Sequence, residues 1–195
     1  GSFDATNSNI PIGNGVILTT GPIDIAVGPN DDEGAGSSIG GSYQDPDLNA
    51  IASSSTNDAA VLEFDFVPLG ETLVFNYVFA SEEYNEYVCS SFNDAFGFFL
   101  SGPGISGSFE NNGINIAQIP GAGLPVTINN VNNGTIGTFG SVSNCSEAQL
   151  SNSEFFIDNE NNTEFSSTQY DGFTVSLEAI AQVQCGETYH IKLTI

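Results

Sequence analysis

The sequence predicts an all-β fold, an antiparallel β-sandwich of the jelly-roll kind with long ordered loops. Short runs of apolar residues alternate with polar residues at a period of two, and segments rich in Gly, Asn and Ser separate these runs. No segment keeps a helical period over a useful length. The chain has 195 residues with fifteen Phe and six Tyr, which fits a single all-β domain with a sizeable core.

The strands can be placed from the alternating pattern and from the turns between the runs. Residues 61–67 and 72–80 are joined by a short turn and are predicted to pair as an antiparallel hairpin. Residues 172–183 and 188–195 are predicted to form a second hairpin. The predicted strands are residues 16–19, 61–67, 72–80, 95–100, 114–119, 126–131, 172–183 and 188–195.

The strand at residues 188–195 has no turn or polar cap after it. We therefore expect the domain to lack a terminal strand and this last strand to leave a free edge. Such an edge, carrying His190 and Lys192, would be open to pairing with a segment of a partner chain.

The charge of the chain is strongly one-sided, with 1 Lys or Arg against 24 Asp and Glu and a formal net charge of −23. An electrostatic grip on nucleic acid needs Lys and Arg, so nucleic acid is excluded as a partner. Binding to anionic membranes is disfavoured for the same reason, and no apolar run approaches the length of a membrane span. Because so much negative charge opposes compaction, the chain is expected to bind cations or to work in salt.

Three cysteines are present, Cys89, Cys145 and Cys185. One disulfide with one thiol left over is expected for an acidic, Asn-rich all-β chain of extracellular character. The spacing does not decide which pair forms. With one His and no C-x-x-C pair, a structural zinc site is disfavoured.

The stretch FASEEYNEYVCSSFNDAFGFFL, residues 79–100, places acidic residues between two apolar strand patterns. Carboxylates held close together repel one another unless they are protonated or share a cation. Ca²⁺ suits such a site because it accepts six to eight oxygen ligands in irregular geometry. Acids in other loops are expected at the same end of the sandwich. The predicted Ca²⁺ ligands are Glu82, Glu83, Asn93, Asp94, Asp45, Asp47 and Asp171, with Glu86 beside them.

Two other interpretations of these acids remain open. An acidic, solvated rim needs no specific ion, and the D-x-D-x-N run at residues 45–49 lacks the Gly and Glu of an EF-hand because Ala50 and Thr56 stand there. A pair such as Glu82 and Asp94 would also permit acid hydrolysis of a glycosidic bond. Catalytic-triad chemistry is disfavoured, since His190 is the sole histidine and no G-x-S-x-G motif is present.

Long motifs also resemble one known family, the choice-of-anchor L domain. The resemblance lies in FDFVPLGETLVFNYVFASEEYNEYVCSSFNDAFGFFLSGPG, INIAQIPG, YDGFTVSLEAIAQV and CGETYHIKL, and in IGNGVILTTG and QDPDL nearer the start. It implies a module of large secreted bacterial surface proteins that are regarded as adhesin-like, with no enzymatic activity attached. The family pattern continues past HIKL, which agrees with the expectation of a missing terminal strand.

Together these patterns predict a non-enzymatic, calcium-stabilised, extracellular adhesion or structural module of a bacterial cell-surface or filament protein. Its partner is expected to be a glycan, a peptide or a neighbouring domain of a surface protein. The alternative is a secreted carbohydrate-active hydrolase that uses paired carboxylates.

Overall fold

The computed structural model describes residues 1–37, 39–160 and 167–195, and within them the chain is mainly β-structure. One α-helix and three 3₁₀ turns (Ile23–Ala26, Glu110–Asn112 and Ser153–Phe155) are found in this part of the chain. The elements are β1 (Ser2–Asp4), β2 (Asn14–Val16), α1 (Pro46–Ala52), β3 (Val61–Phe66), β4 (Thr72–Tyr77), β5 (Ala80–Ser81), β6 (Ala95–Ser101), β7 (Ile114–Asn115), β8 (Val126–Thr127), β9 (Phe156–Asp158), β10 (Gly172–Thr174), β11 (Leu177–Gln182) and β12 (Tyr189–Thr194).

The strands form antiparallel sheets, which confirms the predicted fold class. The largest sheet has five strands, in the order β3–β12–β6–β7, with β8 also paired to β6. Strands β4 and β11 form a two-stranded sheet, and β5–β10–β9 form a three-stranded one. The short β1–β2 pair stands apart from these.

Aromatic side chains join the β4–β11 sheet to the five-stranded sheet. Phe75 and Tyr77 of β4 pack on Phe98 of β6, with ring centroids 5.2 and 5.5 Å apart, and Tyr77 also packs on Phe96 at 5.1 Å. Strand β11 alternates buried and exposed residues without a break, which is the pattern of a strand with one face on a core. The two sheets are therefore layers of one sandwich core.

Both predicted hairpins are wrong, although the strands themselves are present. Strand β3 pairs with β12, and β4 pairs with β11, so each short turn carries the chain from one layer to the other. The two turns meet, because the N–H of Gly186 donates to the carbonyl of Pro68 at 3.0 Å. Alternation identifies a strand and its buried face, but it does not identify the strand's partner.

Strand β12 is not an edge strand, which corrects the prediction for His190 and Lys192. It is hydrogen-bonded to β3 along one side and to β6 along the other. The backbone that was expected to be free for a partner chain is therefore already paired. Tyr189 and Ile191 project from one face of β12 into the main core, which explains why these positions are apolar.

The D-x-D-x-N run belongs to a helix and not to an open loop. Asp45 is the N-cap of α1, and its Oδ1 accepts hydrogen bonds from the N–H groups of Asp47 and Leu48 at 2.9 Å each. Pro46 occupies the first turn, where its missing N–H costs nothing. Leu48 and Ala52 then face a small core with Ala95.

Cys89 and Cys145 form the disulfide, and Cys185 is an exposed free thiol. The bond closes a separation of 56 residues and ties the segment after β8 to the turn before β6. One disulfide and one remaining thiol were expected, and the structure identifies the pair.

Candidate cation site and acidic cleft

The acidic turn between β5 and β6 is held in place by a buried aromatic residue. Tyr84 is fully buried, donates its hydroxyl to the carbonyl of Val131 at 2.7 Å, and packs on Phe156 at 4.7 Å between ring centroids. The peptide bond between Tyr84 and Asn85 is cis. Because Tyr84 points into the core, its neighbours Glu82, Glu83 and Glu86 remain at the protein surface, each partly buried.

Glu82 and Asp171 lie side by side where β5 pairs with β10. The N–H of Asp171 donates to Glu82 Oε2 at 3.0 Å, and the Asn30 amide donates to Asp171 Oδ1 at 2.8 Å. Asp171 is only 1% exposed. The other oxygen of each carboxylate, Glu82 Oε1 and Asp171 Oδ2, is buried and has no hydrogen-bond partner. A buried carboxylate oxygen without a partner is costly, so this pair needs a proton or a cation.

Burial and mutual repulsion raise the pKa values of these carboxyls. Burial and then the charge of Asp171 raise the pKa of Glu82 to about 8. Burial and then the charge of Asp94 raise the pKa of Glu83 to about 7. Burial also raises the pKa of Asp171 to about 7, against the lowering effect of the Asn30 hydrogen bond. These carboxyls are therefore poorly compensated as anions at neutral pH.

Glu83 and Asp94 form a second branch of the same cluster. The N–H of Glu83 donates to Ser81 Oγ at 3.0 Å, and the Ser81 hydroxyl donates to Asp94 Oδ2 at 2.7 Å. The negative charge of Asp94 raises the pKa of Glu83. Four of the predicted ligands, Glu82, Glu83, Asp94 and Asp171, are thus electrostatically linked.

The other three predicted ligands lie elsewhere and have other partners. Asp45 and Asp47 contact the ammonium group of Lys192, at 2.9 and 2.7 Å. Neither of them is among the charges that raise the pKa of Glu82, Glu83 or Asp171. The Asn93 amide donates to the carbonyl of Ala52 at 3.0 Å and accepts from the N–H of Asn129 at 3.1 Å. The structure therefore gives Asp45, Asp47 and Asn93 partners outside the Glu82–Asp171 pair, and Asp45 and Asp47 do not join the other acids as expected.

An acidic cleft of about 440 Å³ opens beside the Glu82–Asp171 pair. Asn85 holds one wall, because its N–H and its side-chain amide both donate to Glu160 Oε1, at 2.6 and 2.9 Å. Phe139 supplies an aromatic wall and stacks on Tyr87 with ring centroids 5.0 Å apart. The carboxylates that line the cleft are Glu33, Glu86, Glu160 and Asp171.

Several residues of this region were not identified from the sequence. Asn30, Asp32 and Glu33 come from the long acidic loop before α1, and none of them was among the predicted ligands. The pKa of Glu82 responds to Asp32, and Glu33 lines the cleft. Glu160 follows β9 in a polar segment without any periodic signal. Of these residues, only those in the loop at residues 28–33 had a signal in the sequence, which is the high density of acids there.

The part of the chain that the structure describes contains neither a ready-made cluster of metal ligands nor a membrane-spanning helix. In residues 1–37, 39–160 and 167–195, no group of three or more Asp, Glu, His or Cys side chains is arranged so that it could hold a metal ion. Any ion at the Glu82–Asp171 pair would therefore need neutral oxygen ligands as well, which Ca²⁺ accepts from amides, backbone carbonyls and water. Across the same residues, no helix combines the length and apolar character needed to cross a bilayer.

Comparison with known families decides the identity of the domain. The sequence model of the choice-of-anchor L domain matches residues 1–195, the full length of the chain. The chain belongs to the choice-of-anchor L family. Choice-of-anchor L domains belong to surface-associated proteins and are not known as enzymes. No curated protein and no solved structure shows significant similarity to this choice-of-anchor L domain.

Proposed function

We propose that this choice-of-anchor L domain is a calcium-stabilised adhesion or structural module of an extracellular bacterial cell-surface or filament protein, and that it has no catalytic role. The observation that carries the proposal is the Glu82–Asp171 pair, which has two buried carboxylate oxygens without hydrogen-bond partners. One Ca²⁺ ion would satisfy both oxygens and cancel the repulsion that raises both pKa values.

The role of the ion would be mechanical. Glu82 follows β5, Asp171 precedes β10, and Asn30 brings in the loop before α1 through its hydrogen bond to Asp171. An ion bound by Glu82 and Asp171 would thus fix three segments of the chain to one another. Ordered loops at the end of a sandwich are a suitable surface for adhesion, since contacts made by rigid loops lose little entropy on binding.

Among the expected partners, a basic peptide or protein segment complements the acidic cleft best. Glu33, Glu86, Glu160 and Asp171 line the cleft, and a Lys or Arg side chain would meet opposite charge there. Phe139 offers an aromatic face to the same cation. The hydrolase alternative is not carried forward, because burial raises the pKa of Glu82 and the pKa of Asp94 alike, and neither is set apart as the ionised member of a catalytic pair.

Thermal melting with CaCl₂, with MgCl₂ and with a chelator tests the proposal. At a calcium concentration about 100-fold above Kd, linkage predicts a rise in Tm of roughly 5–10 °C for a domain of this size. Mg²⁺ is expected to have a smaller effect because it demands a stricter octahedral geometry.

Two variants show whether the effect is local. Glu82→Gln together with Asp171→Asn is expected to remove the calcium effect. Glu178→Gln, which changes an exposed, outward-facing carboxylate on β11, is expected to retain it. An unchanged Tm of the wild-type domain in calcium would exclude the proposed site.

A further inference from the structure

The sole lysine of the chain is buried among carboxylates. Lys192 is 5% exposed. Its Nζ lies 2.9 Å from Asp45 Oδ2, 2.7 Å from Asp47 Oδ2 and 3.3 Å from Glu110 Oε2. The ring of Phe99 covers it, with its centroid 5.3 Å from Nζ. An amine and two buried carboxylates are thus held together in a site largely closed to water.

The contact with Asp47 differs from the contact with Asp45. Asp45 Oδ2 accepts a hydrogen bond from Nζ. Asp47 Oδ2 is nearer to Nζ but lies outside the angular range of a hydrogen bond. The other oxygen, Asp47 Oδ1, accepts a hydrogen bond from the backbone N–H of Glu110 at 3.1 Å. One carboxylate is therefore held by a backbone donor on one oxygen and approached by the amine on the other.

We propose that Lys192 and Asp47 condense into an isopeptide bond, with loss of one water, which covalently joins strand β12 to helix α1. The proposal is independent of calcium and rests on a different part of the molecule from the Glu82–Asp171 pair.

The step balances within the residues present. Asp47 Oδ2, which lies 2.7 Å from Nζ, takes the first proton, and the lone pair of the resulting neutral amine attacks Cγ of the neutral Asp47 carboxyl. Negative charge develops on Oδ1, where the N–H of Glu110 stabilises it. Asp45 Oδ2 takes the second proton from the nitrogen and passes it to Asp47 Oδ2, the bond from Cγ to Asp47 Oδ2 breaks, and this oxygen leaves as water while the amide nitrogen keeps the third proton. No oxidant, reductant or co-reactant is required.

Proximity and burial both favour the product. Groups held in reactive geometry react as if at effective concentrations of about 10⁵–10⁸ M. Condensation also replaces two buried ions, which are costly to desolvate, by one neutral amide. Burial lowers the pKa of Lys192, but Asp47 and Asp45 outweigh this effect and the pKa is raised. The reactive amine is therefore a minor form, and the reaction is a slow, single maturation step after folding.

The intact mass of the purified domain tests the proposal directly. The wild-type mass, corrected for the Cys89–Cys145 disulfide, is expected to be lower than the sequence mass by one water. Fragmentation of a digest made without a lysine-specific protease is expected to map a cross-link between Lys192 and Asp47. Measurement in a chelator keeps the result separate from the calcium proposal.

Lys192→Arg is the matched control, because it keeps the positive charge while a guanidinium group does not condense in this way. Its mass is expected to equal the sequence mass with no water lost. Three results would overturn the proposal: a wild-type mass that stays at the sequence value after prolonged incubation, a water loss that persists in Lys192→Arg, or a cross-link that maps to Asp45 or Glu110.

Discussion

Two groups of carboxylates in this domain show opposite solutions to the same electrostatic problem. Asp45 and Asp47 are buried and share the ammonium group of Lys192. Glu82 and Asp171 also lie close together, but their neighbouring charges are all negative and their pKa values are raised. In a chain with 24 acidic residues and one Lys, the single internal cation stabilises the junction of α1 and β12. The other group depends on protons or on ions from the medium.

Removing the internal cation should have the largest effect. Relative to the newly folded domain, in which Lys192 and Asp47 have not yet condensed, Lys192→Met leaves Asp45 and Asp47 buried without a counter-charge, which costs about 3–5 kcal/mol of the free energy of unfolding. Urea denaturation measures the loss, and calcium should not restore it. Lys192→Arg, which keeps the charge, should lose less. A Lys192→Met domain as stable as wild type would show that this group needs no cation.

The group formed by Glu82, Glu83 and Asp171, called the Glu82 group, should make the stability of the domain depend on pH when divalent ions are absent. The folded pKa values of about 8 for Glu82 and about 7 for Glu83 and Asp171 lie above the ordinary values of 4.5 and 3.8. The folded state therefore binds more protons than the unfolded state across this window. Stability should fall as pH rises from about 4 to about 8, by roughly 2 kcal/mol once solvent screening of the partly exposed Glu82 and Glu83 is allowed for.

The group formed by Lys192, Asp45 and Asp47, called the Lys192 group, should contribute nothing to this decrease of stability with pH. In the domain before condensation, the pKa of Lys192 is raised from 10.5, so its stabilising effect is fully present below about pH 10 and is lost only above that; after condensation Lys192 no longer titrates. Urea midpoints measured in a chelator between pH 4 and pH 9 give the slope, and saturating calcium should flatten it. A flat profile in the chelator would contradict the assignment of Glu82 and Asp171 as an uncompensated pair.

Neutralising one member of the Glu82 group should have a smaller effect of opposite sign. In a chelator at pH 7, Glu82 must take up a proton on folding because its folded pKa is about 8, and Glu82→Gln removes this cost and should stabilise the domain by about 1 kcal/mol. In calcium the same variant should be less stable than wild type, because it loses a ligand. The free energy of unfolding of Glu82→Gln should therefore be above that of wild type in the chelator and below it in calcium. Glu178→Gln, the control, should show no such reversal.

The smallest effect is expected from an exposed pair on the same strand as Lys192. His190 Nδ1 lies 2.8 Å from Asp65 Oδ1, and both side chains are accessible to solvent. Exposed pairs contribute about 0–1 kcal/mol, so His190→Gln should change the free energy of unfolding by less than about 1 kcal/mol. Lys192 and His190 both lie on β12, but only Lys192 is buried. The difference between the two variants therefore measures how much burial increases the contribution of an ion pair to stability.

The sequence predicted the strands better than their connections. The runs at β3, β4, β6, β11 and β12 were located because each alternates or is continuously apolar. Their pairing was not, since β3 meets β12 and β4 meets β11 only through contacts distant in sequence. The helix at Pro46–Ala52 escaped prediction because it is short and buries few apolar residues. Its N-cap Asp45 and the following Pro46 were the available signals.

The sequence predicted the candidate site where acidic residues are close together in the chain. It did not predict contacts between residues that are distant in the chain. Glu82, Glu83 and Asp94 lie in one stretch, and Asp171 meets them because β10 pairs with β5. Asp45 and Asp47 looked like the same kind of residue in sequence. Lys192 lies more than 140 positions away, and no local pattern reveals that it reaches them.

The position of β12 bears on the order in which the parts of the chain can fold. Residues 189–194 fill the place between strands built from residues 61–66 and 97–101. A chain emerging from a ribosome or a secretion pore with its N-terminus first presents two strands that cannot yet meet, and contacts so distant in sequence form slowly. We expect a version that ends before Tyr189 to stay unfolded. Because its central strand is the last one in the sequence, the five-stranded sheet would then form only after residues 189–194 have become available.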